Sequence, residues 1–379
     1  MRKILILWFF TICNLTSAQI IDFPDANFKN ALVNTLCVDT NGNDIGDADA
    51  DFNDDGEIDM SEAIAVKHLI VHNNSIQSLV GIEKFNNLKW LNCNYNQLAY
   101  LNVQDLVNLT SLRCENNQLT SLNVQGLANL KSLRCDYNQL TSLDVQGLIN
   151  LVELYFSNNQ LISIDLHGLT KLEFLVCWTN QLTYLNVNEQ TNLVGLICFN
   201  NKFKYLEVEG LANLKFLGCS DNELTTLYVQ GLTNLEYLHC VSNQLTTLFI
   251  KGTKLTESLF FENNPDLSYI CCNEDRITEI KNMAIANNQN CEVDSECNVT
   301  NSQDQYTNIN IYPNPVNDIL YLDSNDHWTK AEIFDIAGRI MRSVNLHISS
   351  MDVSDLQSGT YFIRLKDGDK IGLVKFVKI

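Results

Sequence analysis

The chain has 379 residues, of which 45% are hydrophobic, and a formal charge of −20 at neutral pH. That length exceeds an ordinary single domain. The acidic balance argues against nucleic acid or an anionic membrane as partner, because both need Lys and Arg to neutralise phosphate.

Arg2 and Lys3 precede an apolar run from Ile4 to Ile12, and Thr16, Ser17 and Ala18 follow it. A positive head, a short apolar body and small residues at the end describe a cleavable export signal over residues 1–18. The run is too short to span a bilayer as a helix, and no later stretch is long enough either.

Residues 19–87 read as an acidic helical cap that ends in an atypical first repeat. Residues 25–36 place Phe28, Ala31, Leu32 and Leu36 on one helical face. Further on, Asp51, Asn53, Asp55, Glu57, Asp59 and Glu62 stand at the spacing of a twelve-residue EF-hand loop, with Gly56 at its sharp turn. A hard cation needs six to eight oxygens converging from one short segment, and this spacing supplies them. Glu57 would contribute its backbone carbonyl and Glu62 a bidentate carboxylate. A structural calcium ion is therefore expected here, with Ile58 turned inward and residues 63–69 forming the exiting helix. The run Asp39, Asn41, Asn43 resembles half of such a loop but lacks Gly at its sixth position.

From residue 88 to 264 the sequence repeats every 21 residues. Asn96, Asn117, Asn138, Asn159, Asn180, Asn201, Asn222, Asn243 and Asn264 keep that step, and so do the leucines from Leu91 to Leu259. A fixed period in the twenties marks a solenoid, in which each coil buries its apolar edge against its neighbours. The unit Leu-x-x-Leu-x-Cys-x-x-Asn-x-Leu is similar to the leucine-rich repeat signature. That resemblance implies an Asn whose side chain bonds backbone groups of adjacent coils. Each unit divides into two strand-like arms, so two parallel sheets with little helix are expected. Cys93, Cys114, Cys135, Cys177, Cys198, Cys219 and Cys240 share one column with Phe156 and Phe261. Phenylalanine at a cysteine position argues for apolar filling rather than metal or redox chemistry.

Alternation along the first arm sends one set of side chains outward. Early coils present mostly polar residues there. Later coils present Tyr155, Phe174, Val176, Trp178, Ile197, Phe199, Phe216, Tyr237, His239, Val241 and Phe260. An apolar and aromatic stripe of this extent marks an interaction face, here assigned to a protein ligand on a host or neighbouring cell. The alternative is a cell-surface carbohydrate-binding module. Its mark would be aromatics flanked by acids or amides, and the nearest Asn residues belong to the structural column.

Residues 265–297 form a Cys-rich end cap, with a short helix near residue 280. Cys271, Cys272, Cys291 and Cys297 lie outside the buried column. In an exported chain they are expected to form two disulfides, with the pairing open. Residues 298–308 read as a polar linker. In residues 309–379, short alternating stretches at 319–322, 332–336, 340–344, 361–365 and 373–379 argue for a small β-sandwich. Tyr312-Pro-Asn-Pro-Val316, Phe334-Asp-Ile-Ala-Gly-Arg339, Asp352-Val-Ser-Asp-Leu356, Gly359-Thr-Tyr-Phe362 and Lys375-Phe-Val-Lys-Ile379 occur in that order. They resemble the C-terminal sorting domain of the type nine secretion system of Bacteroidetes. The resemblance implies passage across the outer membrane by that machinery, then release or surface attachment.

The whole resembles secreted bacterial leucine-rich repeat recognition proteins such as internalins. No metal-protease spacing of histidines, Gly-x-Ser-x-Gly elbow or glycine-rich phosphate loop occurs, so no enzyme is expected.

Overall fold

The computed structural model describes residues 19–255, 258–297, 310–323, 328–335, 340–345, 350–367 and 370–379. The expected export signal, the linker and the Ile336–Arg339 part of the sorting motif lie outside them. The chain divides into two compact units, Met1–Asn159 with His167–Leu172 and Gln160–Leu166 with Glu173–Ile379.

In the first unit, helix Ala26–Asn34 starts at Asp25, whose Oδ1 accepts the amides of Asn27 and Phe28. The other oxygen of Asp25 accepts the amides of Gln77 and Ser78 at 2.7 and 2.8 Å, pinning the helix to the first coil. Phe28, Ala31 and Leu32 are fully buried beneath it. A second helix, Met60–Ala65, begins with a reciprocal capping box between Asp59 and Glu62. The exit helix expected to run to residue 69 stops at Ala65. Leu69 is claimed instead by the first strand, His68–Ile70, where it pairs opposite Leu91 in the solenoid core.

The repeats fold as coils of a parallel-β leucine-rich repeat solenoid. In the first unit Leu69, Leu91, Leu112, Leu133 and Leu154 stand opposite one another on five parallel strands. In the second, Leu175, Leu196, Leu217, Leu238 and Leu259 do the same. All these leucines are buried, as are all the cysteines of the column and both phenylalanines that replace them. Burial pushes the thiols up, Cys219 to about 12, so they are inert apolar filler.

The Asn column holds neighbouring coils together. Asn138 Nδ2 donates to the carbonyls of Cys114, Cys135 and Asp136 at 3.0, 3.1 and 3.2 Å, and its Oδ1 accepts Leu119 N at 2.9 Å. The residue before each such Asn is left-handed, with φ near 55° from Tyr95 to Asn263. Asn suits that conformation and a β-branched residue does not. Thr179, at φ 52°, is the poorest fit, and its hydroxyl accepts from Asn200 Nδ2 at 2.9 Å. Thr179→Asn keeps an acceptor there and is expected to raise stability by ~0.5–1 kcal/mol. A fall in the urea midpoint would count against this account of the turn.

The second arm departs from expectation. Continuous strands form only at Thr226–Tyr228, Thr247–Phe249 and Tyr269–Cys271, joined by Glu292–Asp294, while the coils at Asn102, Asn123 and Asp144 make isolated bridges. The cause is local. Asn102, Asn123 and Asp144 each accept the amide two residues on, and such a turn ends the strand. Tyr228 and Phe249 occupy the same position, cannot make that bond, and stack instead at 4.6 Å.

The end cap carries helix Ile277–Ala286. Cys271 and Cys297 are bonded, while Cys272 and Cys291 are free. The expectation of two bridges fails on strand register. Tyr269 lies opposite Glu292 and Cys271 opposite Asp294, which puts Cys272 and Cys291 at opposite ends of the pair. Four residues of strand separate them, roughly 13 Å, beyond the reach of a disulfide.

Residues 310–379 form a three-stranded and a four-stranded antiparallel sheet around one core that includes Leu320, Ile333, Ile363 and Phe376. Asn314 of the Tyr-Pro-Asn-Pro motif donates to Lys375 O and accepts Val377 N at 2.8 Å. Two motifs about 60 residues apart in sequence are thereby joined. These sheets meet the repeats at Tyr184, on the second arm, whose ring stands edge-on to Phe362 at 5.5 Å.

Candidate functional site: an aromatic ladder on the repeat sheet

The outward residues of the first arm in the second unit form a ladder along the solenoid. Parallel pairing in register sets equivalent side chains one strand spacing apart, ~4.8 Å, close to the stacking distance of aromatic rings. Trp178 and Phe199 stack at 5.1 Å with planes 15° apart, and Phe216 and Tyr237 at 4.7 Å and 15°. His239 and Phe260 are tilted at 4.4 Å. Phe216, Tyr237 and Phe260 are 39%, 40% and 37% exposed, high for side chains of this size.

Not every residue of the expected stripe lies open on it. His239 is exposed, while Phe174, Trp178, Ile197, Phe199 and Val241 are half-buried. Val176 is buried, a short side chain among long neighbours. Tyr155 belongs to the first unit, where the Arg134 guanidinium stands 4.3 Å over its ring. The ladder is also interrupted. Gly195 lies beneath Phe174, whose ring would be 2.9 Å from a Cβ placed there, and Gly218 and Ser220 leave a notch one coil wide between Phe199 and Val241. Small residues at outward positions were the sequence signal for that notch.

The first unit presents a polar face instead. Arg113 donates to Glu115 at 2.8 Å and Arg134 to Glu153 at 3.2 Å. Burial, with the charge of Glu115 adding to it, pushes the Asp136 carboxyl up to about 6.

The acidic loop of the cap is held by its own amides. Asp51 accepts Asp55 N and Gly56 N, Asn53 accepts Asp55 N, and Asp55 accepts Glu57 N. Glu62 reaches across the loop, taking Asn53 N on one oxygen and Asp59 N on the other. Asp51 and Glu62 are 4% and 5% exposed, Ile58 is fully buried, and Lys29 pairs with Glu57 at 2.6 Å. Among the described residues no three His, Cys, Asp or Glu side chains stand together at metal-site spacing. Of the six donors expected here, Asp51, Asp55, Asp59 and Glu62 are carboxylates and are not gathered at that spacing, while Asn53 and the Glu57 carbonyl are of other kinds. The segment before it, from Asp39 to Ile45, repeats the same turns, with Asp44 left-handed where the later loop has Gly56.

Residues 310–379 match the secretion system C-terminal sorting domain family, and residues 150–172 match the leucine rich repeat family. No curated protein matches the chain. Among solved structures, the functional domain of the internalin InlJ from Listeria monocytogenes, which includes a cysteine ladder, is 20% identical. That alignment covers 94% of this chain and 97% of that one, with a TM-score of 0.38. A leucine-rich repeat protein from Leptospira interrogans is 26% identical over 56% of this chain and 62% of its own, with a TM-score of 0.43. YopM, a leucine-rich effector protein from Yersinia pestis, is 29% identical over 49% and 51%, with a TM-score of 0.44. The sorting domain directs type nine secretion and an extracellular or cell-surface location.

Proposed function

We infer that this secreted leucine-rich repeat protein, exported through its C-terminal sorting domain, is a non-catalytic recognition protein that binds a protein ligand through the aromatic ladder. The observation that carries this is the stacked, part-exposed row of Trp178, Phe199, Phe216 and Tyr237. Stacking against a neighbour restricts each ring before any partner arrives, so less rotamer freedom is lost on binding. The same stacking weighs against a sugar ligand. A sugar ring packs on an open aromatic face, and one face of each of these rings is taken up by its stacking neighbour. The notch at Gly218 and Ser220 adds relief of the kind that takes a protein side chain.

In this reading residues 19–87 are a helical cap on the solenoid, and residues 310–379 are a sandwich that serves secretion rather than ligand binding. The loop from Asp51 to Glu62 holds one structural calcium ion that braces the cap. Asn53 and Glu57 fit an oxygen-only site, and the buried carboxylates of Asp51 and Glu62 supply the charge.

The decisive experiment screens the full chain on host-protein and glycan arrays beside a Trp178→Ala, Phe216→Ala, Tyr237→Ala variant with unchanged melting. Loss of roughly 100-fold or more in affinity for a protein hit is expected, as for the anchors at the centre of an interface. A protein hit bound equally by both chains would remove the ladder from the binding site. A glycan hit lost in the variant would replace the protein ligand by a carbohydrate.

A further inference from the structure

The polar face of the first unit carries an oxygen column that neither the ladder nor the cap uses. Asn94, Glu115 and Asp136 occupy the same position of three successive coils, 21 residues apart. The backbone keeps them adjacent, since Tyr95 N donates to Glu115 O and Asn116 N to Asp136 O, both at 3.0 Å. Asn94 is 6% exposed and Glu115 8%.

Their hydrogen bonds are lopsided. Asn94 Nδ2 reaches Glu115 Oε1 at 3.0 Å, and the Nε and terminal nitrogen of Arg113 reach the same oxygen at 3.1 and 2.8 Å. Three donors crowd one atom, while Glu115 Oε2 and Asn94 Oδ1 are buried with no hydrogen-bond partner. Turning the Asn94 amide over would only set its oxygen against the carboxylate, acceptor to acceptor. One oxygen of Asp136 accepts Ser157 N at 2.8 Å, and its half-buried side chain stands one coil beyond Glu115, between it and the buried Ser157. Native proteins do not normally leave such acceptors unpaired, because each costs the desolvation of a polar group. Each of these oxygens is free to accept a donor or to coordinate a cation.

We propose that Asn94 Oδ1, Glu115 Oε2 and the Asp136 carboxylate bind a hard divalent cation, calcium or magnesium, whose remaining positions are filled by water. One neutral and two charged oxygens suit such an ion, which takes oxygen ligands and retains waters readily. Arg113 stays on Oε1, so it orients Glu115 without competing for the same atom. The site is independent of the ladder and of the loop from Asp51 to Glu62.

The test uses the full chain in a Glu62→Gln background, which disables that loop. Bound calcium and magnesium are counted by equilibrium dialysis, and melting is followed with each ion and with chelator. Adding Asp136→Asn is expected to remove one bound ion and to abolish at least part of the ion-dependent rise in melting. Glu115→Gln should do the same while keeping the hydrogen bonds of Asn94. Without any ion, Asp136→Asn should be no less stable than its parent, because it removes a like charge beside Glu115. An ion count unchanged by both substitutions, or none bound at all, would overturn the proposal and leave an ordered water as the occupant.

Discussion

Asn138→Ala is expected to lower the unfolding free energy by about 3–5 kcal/mol, a large part of the stability of an ordinary domain. The substitution leaves the carbonyls of Cys114, Cys135 and Asp136 and the amide of Leu119 without their partner, in a site where Asn138 is 8% exposed. Each orphaned buried group costs ~1–3 kcal/mol. The sum falls short of four times that, because three of the bonds share one nitrogen and cannot all be strong. The control is Asn129→Ala in the same coil. Its amide also repeats every 21 residues and donates to Val107 O at 3.0 Å, but on the exposed side. That change should cost under ~1 kcal/mol, since water takes over the bond. Urea unfolding followed by circular dichroism measures both. Equal losses would mean that the column contributes no more than any surface amide.

Removal of calcium is expected to lower the melting temperature of the full chain, and Glu62→Gln to abolish the share of that effect due to the cap loop. An ion present at a hundredfold over its dissociation constant adds about 2.7 kcal/mol to the folded state. Glu62 has a second task, since its carboxylate completes the capping box with Asp59. Gln can still close that box but has one oxygen where Glu62 has two, so one of the amides of Asn53 and Asp59 loses its acceptor, and the substituted chain should be less stable even in chelator by ~1 kcal/mol. The informative quantity is the difference between calcium and chelator in each chain. If that difference is the same in the Glu62→Gln chain as in its parent, the loop from Asp51 to Glu62 is a hydrogen-bonded turn and binds no ion.

Much of this could be read from residue spacing. The Leu and Cys columns predicted the buried residues, because a period of 21 allows each position only one environment. The helix after Asp25 and five strands of residues 310–379 followed from an apolar helical face and from strand alternation. The limits of the second sheet were also present in the sequence, as Asn and Asp at 102, 123 and 144 against Tyr228 and Phe249. They are seen only when side-chain turns are weighed against strand pairing, since strand propensity treats the arms alike.

The 21-residue spacing alone dictates a parallel-β solenoid with leucine and cysteine inside, since a side chain's place in such a coil depends on its position in the repeat. Which cysteines join, which outward residues are truly exposed, and which oxygens are left unpaired were decided by the tertiary structure. Cys272 and Cys291 are separated by strand register, Val176 is covered while Phe216 is open, and Glu115 receives three donors on one oxygen and none on the other. Each outcome depends on distances between coils, and those arise only when neighbouring coils pack.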